Sequence, residues 1–200
     1  MFHRFYPVLP DLSWLERLVP LGVKTVQLRL KDTGQSEINR QIEASIKLCA
    51  AHDCQLIVND YWREAIALGA DYIHLGQEDL ARADVAAIKA ARLKLGISTH
   101  SHEELEIALD AKPDYVALGP VYETKLKKMK WAPQGLSRVT EWKSLISVPL
   151  VAIAGITVER APNVLAAGAD SLAVVTDIIT HANPESRVRE WLEVVSTSDA

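Results

Sequence analysis

Eight short apolar runs, each followed by a segment of helical character, set the tightest limit on how this chain can fold. The runs occupy residues 6–9, 25–30, 55–58, 72–75, 95–97, 115–118, 150–153 and 171–175. Several are apolar on both faces, the pattern of strands buried within a parallel sheet. Helical segments are expected at 12–21, 36–52, 61–68, 80–93, 102–110, 137–145, 158–167 and 184–196. Gly22, Gly69 and Gly168 stand where a left-handed residue would end a helix before the next strand. Eight such units in 200 residues allow about 25 residues each, the compact end of the range for a (β/α)8 TIM barrel. A doubly wound open sheet is the rival, but no GxGxxG turn follows the first strand. The α/β reading is therefore one (β/α)8 barrel domain over residues 1–200.

Composition narrows the partners. A net charge of −4 supplies no overall basic field for nucleic acid. No apolar run approaches the 18 or so residues of a membrane span, and the N-terminus lacks a signal-peptide pattern. Cys49 and Cys54 are too few for a disulfide framework and suit a reducing compartment. The expectation is a soluble cytoplasmic protein that binds neither nucleic acid nor membrane, with a homo-oligomer left open.

In a barrel of this kind chemistry gathers at the carboxyl ends of the strands. Along strand two, alternation puts Gln27, Arg29 and Lys31 on one face and Leu28 and Leu30 on the other. Arg29 and Lys31 together could hold a diphosphate, the first by its planar fork and the second as a point charge. Asn59 and Asp60 follow strand three; Asp79 follows strand four. Each acid alone reads as a helix cap or turn residue. As a pair beside a cationic strand, they suit Mg²⁺, which takes one or two carboxylates and fills its shell with water and phosphate oxygens. His74 reads equally as a satisfied core residue or as a substrate contact. Ser98 follows strand five and could face the mouth, although Thr99 or Ser101 could equally cap the next helix.

The longest loop, 119–136, carries four lysines within six residues, including Lys125 and Lys127. Long loops in compact domains are usually functional or disordered; a lid carrying a cation to a leaving phosphate accounts for these lysines better than a nucleic-acid patch. Gly155 after strand seven, and Thr176 after strand eight, occupy the loops where this fold usually binds phosphate. Two anion sites at one mouth suit the joining of two phosphorylated small molecules, one with a diphosphate leaving group.

The stretches VQLRLKD, IVNDYWREAIALGADYIHLGQEDL, LGISTH, DYVALGPVYETK and GADSLAVVT closely resemble the thiamine phosphate synthase family. The resemblance runs in order through nearly the whole chain. It implies a transferase that joins hydroxymethylpyrimidine diphosphate to a (carboxy)thiazole phosphate, giving thiamine phosphate and diphosphate with Mg²⁺. It implies that Gln27, Arg29, Lys31 and Asn59 hold the pyrimidine diphosphate, with Leu28 and Leu30 on the same segment, and that Asp60 and Asp79 ligate Mg²⁺. Ser98 and Lys127 would also contact that substrate, with Arg29, Lys31 and Lys127 acting on the departing diphosphate. Thr124, Lys125 and Leu126, together with Gly155, Val175 and Thr176, would receive the thiazole phosphate. The implied displacement is dissociative, in keeping with the lack of an evident general base.

Three positions depart from the family pattern. Thr-x-Thr-Lys is Thr124-Lys125-Leu126-Lys127 here, a Gly-Gly pair is Ala154-Gly155, and a usual serine is Thr176. The leucine removes one hydrogen bond, about 1 kcal/mol, which implies weaker thiazole binding rather than lost chemistry. Two alternatives stand beside the synthase. One is a thiazole tautomerase-like enzyme of the same fold; the other is a catalytically silent binding or regulatory homologue in thiamine metabolism.

Overall fold

The computed structural model describes residues 3–124 and 131–197. Within them, eight parallel strands close into a barrel in sequence order. These are β1 (Phe5–Leu9), β2 (Thr25–Leu28), β3 (Gln55–Asn59), β4 (Tyr72–Leu75), β5 (Lys94–Thr99), β6 (Tyr115–Leu118), β7 (Leu150–Ile153) and β8 (Ser171–Val174). Closure runs through β1 and β8, where Tyr6 pairs with Ala173. The (β/α)8 architecture expected from the alternation is the one observed.

Two apolar layers form because successive side chains of a strand point to opposite faces. Inside the barrel lie Tyr6, Val8, Ile57, Tyr115, Ala117, Val151 and Ala173. Between strands and helices lies the larger core, to which Val26, Leu28, Leu30, Ile73 and Leu75 contribute. The surrounding helices are α1 (Leu12–Leu18), α2 (Gln35–Ala51), α3 (Trp62–Leu68), α4 (Gln77–Leu80), α5 (Val85–Ala90), α6 (His102–Asp110), α7 (Gly135–Leu145), α8 (Ala161–Ala166), α9 (Thr176–Ile179) and α10 (Pro184–Thr197). Two fully buried indoles anchor this ring. Trp142 of α7 donates to Thr99 Oγ1 at 2.9 Å, and Trp191 of α10 stacks on Phe5 with ring centroids 5.2 Å apart. Truncating a tryptophan of this kind to alanine costs about 3–5 kcal/mol.

The elements depart from the sequence reading in ways that matter for the site. β2 ends at Leu28, two residues short of the expected end, so Arg29 and Lys31 lie on the loop beyond it. The Arg29 N–H still bonds to the Leu9 carbonyl at 2.8 Å, which carries the strand's alternation past its end. β5 extends through Thr99, so Ser98 belongs to a strand and not to the loop that follows it. The helix expected over 80–93 is two helices, because the Asp84 carboxylate accepts from Ala87 N–H at 2.9 Å and starts α5 afresh. The short helix α9 directly after β8 has no counterpart in the sequence reading. Cys49 and Cys54 are both free and buried. Among the described residues no helix is long and apolar enough to cross a membrane.

Candidate active site at the carboxyl ends of the strands

Asp60 follows β3 directly and adopts a left-handed backbone, φ 67°. Its N–H donates to the His74 carbonyl at 3.0 Å, which pins the turn against β4. The side chain accepts from Lys31 Nζ at 2.9 Å. Asp79 approaches from the first turn of α4. Burial holds its carboxyl above the ordinary range, and the charge of Asp60 and a hydrogen bond shared with Asp60 push it the same way. The two acids therefore act on each other at the mouth of the barrel. Neither caps a helix: the cap positions of α3 and α4 are Tyr61 and Gly76. Like charges brought together at a half-buried site are relieved by a cation, and the donor set of two hard oxygens fits Mg²⁺. Among the described residues no three His, Cys, Asp or Glu side chains gather for a metal. A cation bound by this pair would take its remaining ligands from water and substrate. Asp60 and Asp79 also line a cavity of about 280 Å³ with Trp62 and Arg82.

The interior wall beneath these acids is polar. Asn59 pairs in register with His74, and both are buried. His74 Nδ1 lies 2.7 Å from the Tyr115 hydroxyl, and Nε2 lies 2.8 Å from Ser98 Oγ. Burial depresses the imidazole to about 4, with Asp60 raising it and Arg29 lowering it, so His74 is neutral near pH 7. Gln27 Nε2 donates to the Tyr6 hydroxyl at 2.9 Å. Gln27 is fully inside the barrel, Arg29 and Lys31 are exposed, and Leu28 and Leu30 are buried in the outer core. The leucines thus leave only their backbone groups for the mouth.

Across the mouth, the segment after β6 runs along the one after β7. Val121 N–H bonds to the Ile153 carbonyl at 3.0 Å, and Tyr122 N–H bonds to the Ala154 carbonyl at 3.1 Å. Gly155, at φ 68°, has Glu123 O 2.5 Å and Tyr122 Cβ 2.7 Å from where a Cβ would stand. Its lack of a side chain is thus required by the neighbouring loop, which brings Thr124 toward this end of the barrel. Ala154 adopts φ 79°, a left-handed backbone that strains any residue with a Cβ. Arg160 donates to the Gly155 carbonyl at 2.6 Å and lies 4.4 Å above the Tyr122 ring. The Gly155 end of the mouth therefore has a cation beside it that the sequence reading did not include. Val175 opens α9 and Thr176 is its first residue. The Asp177 carboxylate behind them is held by Arg187 and Trp191 of α10, at 2.8 Å each.

The structure thus gathers Gln27, Asn59, Asp60, Asp79, Ser98 and Lys31 at one side of the mouth, and Thr124, Gly155, Val175 and Thr176 at the other. Lys125, Leu126 and Lys127 lie outside the described residues. Sequence reasoning missed Tyr6 and Tyr115, although both sit at inward-facing strand positions.

A sequence model of the family described as thiamine monophosphate synthase matches residues 7–178. The chain belongs to that family. A relative named thiamine-phosphate synthase from Rhizobium etli is 60% identical over 189 residues, covering 94% of this chain and 93% of the relative. Another of the same name from Salmonella schwarzengrund is 47% identical, covering 97% and 92% respectively. Among solved structures, thiamine phosphate pyrophosphorylase from Pyrococcus furiosus superposes with a TM-score of 0.87 at 24% identity, covering 98% of this chain and 97% of that one. A 3-hexulose-6-phosphate synthase from Salmonella typhimurium has a TM-score of 0.69 at 15% identity, covering 98% and 99%. These two structural matches speak to the fold alone. The names of the sequence relatives favour the synthase over a tautomerase or a silent homologue.

Proposed function

We propose that this chain is a thiamine phosphate synthase of the cytoplasm. It joins hydroxymethylpyrimidine diphosphate to a thiazole phosphate and releases thiamine phosphate and diphosphate. The observation that carries this reading is the Lys31–Asp60 contact at 2.9 Å beside the Asp79 carboxyl. A cation and an acid pair at adjacent strand ends form a receptor for a metal-bound diphosphate. An enzyme that only tautomerised a thiazole would have no use for it.

In this reading Asp60 and Asp79 hold Mg²⁺, which when bound offsets the negative charge of the diphosphate. Arg29 and Lys31 hold that diphosphate from the other side, with Lys127 joining them as the resemblance implies. Gln27, Asn59 and Ser98 orient the pyrimidine over the polar interior wall. Thr124, Gly155, Val175 and Thr176 receive the thiazole phosphate across the mouth. The C–O bond to diphosphate breaks first, its electron pair leaving with the oxygen, and the thiazole nitrogen then forms the new C–N bond. Neither step needs a protein base. Both ring nitrogens of His74 are already engaged by Tyr115 and Ser98.

The reading is tested by incubating the protein with both substrates and Mg²⁺ and assaying thiamine phosphate, with EDTA as control. Metal-dependent product supports it. Absence of product despite tight binding of both substrates would overturn it in favour of a silent homologue.

A further inference from the structure

Asp79 rides on α4, a single turn of helix from Gln77 to Leu80. One turn fixes several dihedral angles for a single backbone bond, so it does not hold itself in water. Gly76, at the N-cap, gives the start of this turn no side-chain bond. The position of α4 must therefore come from its neighbours. Leu80 supplies the apolar anchor, buried in the outer core. Gln77 supplies the polar one. Its Nε2 donates to the Ser98 carbonyl of β5 at 2.7 Å and to the Glu104 carbonyl of α6 at 3.3 Å. Both acceptors are carbonyls, so the amide nitrogen faces them and the donor at each contact is settled.

The anchored end of α4 is also the end over which its carboxylate lies. Asp79 Oδ2 is 3.8 Å from where a Cβ on Gly76 would stand, so the acid leans back over the helix start. Ser98, whose carbonyl Gln77 holds, has its Oγ 2.8 Å from His74 Nε2 on β4. The strand end that anchors α4 is thus itself tied to the barrel wall. Asp60 is fixed separately, by its N–H bond to the His74 carbonyl at 3.0 Å. A shift of Gln77 therefore displaces Asp79 relative to Asp60.

We propose that Gln77 is a positioning residue: its amide pins α4 to the end of β5 and so holds Asp79 where it and Asp60 take one divalent cation between them. This rests on the metal reading above for what Asp79 does, and on hydrogen-bond geometry alone for what holds α4. Gln134 provides a control. Its Nε2 donates to the His100 and Gly119 carbonyls, both at 2.9 Å. It grips the chain just past β5 in the same manner, but among the described residues none of its hydrogen bonds reaches α4.

Gln77→Met keeps an unbranched side chain of similar length and removes both donors. Hydrogen exchange in this variant should run about tenfold faster at the Leu80 and Ala81 amides, which bond to the Gly76 and Gln77 carbonyls, with the barrel strands unchanged. Calorimetric titration of Mg²⁺ with diphosphate present should show affinity about tenfold weaker, the usual scale for losing a group that orients a metal ligand. The KM for thiazole phosphate should stay within about twofold. Gln134→Met should leave the Mg²⁺ affinity unchanged. Unaltered exchange at Leu80 and Ala81 in Gln77→Met would overturn the proposal, as would full Mg²⁺ affinity in that variant or an equal loss in Gln134→Met. If the wild-type protein binds no Mg²⁺ with diphosphate, the metal reading fails, while the exchange arm still decides whether Gln77 holds α4.

Discussion

The Lys31 ammonium meets the Asp60 carboxylate at 2.9 Å, joining the loop after β2 to the turn after β3. The Lys31 side chain is 51% exposed and that of Asp60 21%. Exposed ion pairs of this type contribute about 0–1 kcal/mol, so the contact does little for the fold. Lys31→Met should shift unfolding free energy by less than about 1 kcal/mol and cut synthase turnover at least about 100-fold. Denaturant unfolding and steady-state assay of the same preparation check both. A large stability loss with turnover retained would make the pair structural.

Burial of His74 sets a pH dependence of stability. The folded imidazole titrates at about 4, while in an unfolded chain histidine titrates near about 6.5. Between those values the unfolded state binds more protons, so stability is full above the upper value and falls as pH drops toward the lower one. The span corresponds to a loss on the order of 3 kcal/mol. Urea unfolding at about pH 7 and about pH 4.5 measures it, and His74→Gln should flatten the difference. An equal loss in the variant would assign the slope to other groups.

Arg187 ties α10 to α9, the short helix after β8. Its Nε and Nη2 donate to Asp177 at 2.8 and 3.0 Å, and the two side chains are 11% and 12% exposed. Removing one partner of so buried a pair leaves the other uncompensated. Arg187→Met should destabilise the protein by about 3 kcal/mol and raise the KM for thiazole phosphate, because Asp177 lies beside Thr176. Thermal unfolding with substrate titration tests this, and an unchanged melting temperature would contradict it.

Ala154 holds a left-handed backbone that glycine adopts without strain. Ala154→Gly gains this relief but frees the unfolded chain, for a net stabilisation of about 0.5–1 kcal/mol. A lower unfolding midpoint in the variant would show that the Ala154 methyl packs more usefully than its backbone suffers.

The barrel was legible because its signal is repeated: eight apolar runs, apolar on both faces, leave little choice of architecture. Asp60 and Asp79 were legible only as a pair, since singly each resembles a cap. The structure puts Tyr61 and Gly76 at the cap positions, which removes the cap reading and leaves the metal reading as a proposal. The role of Gly155 was half legible. Positive φ is a common reason for glycine, but the close approach of Tyr122 and Glu123 depends on a loop far away in sequence. The polar interior wall at Tyr6 and Tyr115 was hidden for a similar reason. Two tyrosines in apolar runs look like core residues until register shows Tyr115 lying over Gly96. The break at Asp84 was missed because helical periodicity continues through it, while one side-chain bond to Ala87 restarts the helix.

The proposed synthase chemistry depends above all on the acid pair as a receptor for metal-bound diphosphate. Calorimetric titration of Mg²⁺ into the protein with diphosphate present, for wild type and Asp79→Asn, measures that claim without turnover. The variant keeps the shape of the side chain and removes a charge that Asp60 opposes, so its fold should be at least as stable as wild type by thermal unfolding. Mg²⁺ should bind the wild-type protein saturably, and Asp79→Asn should lose that binding. Equal binding by both proteins would contradict it.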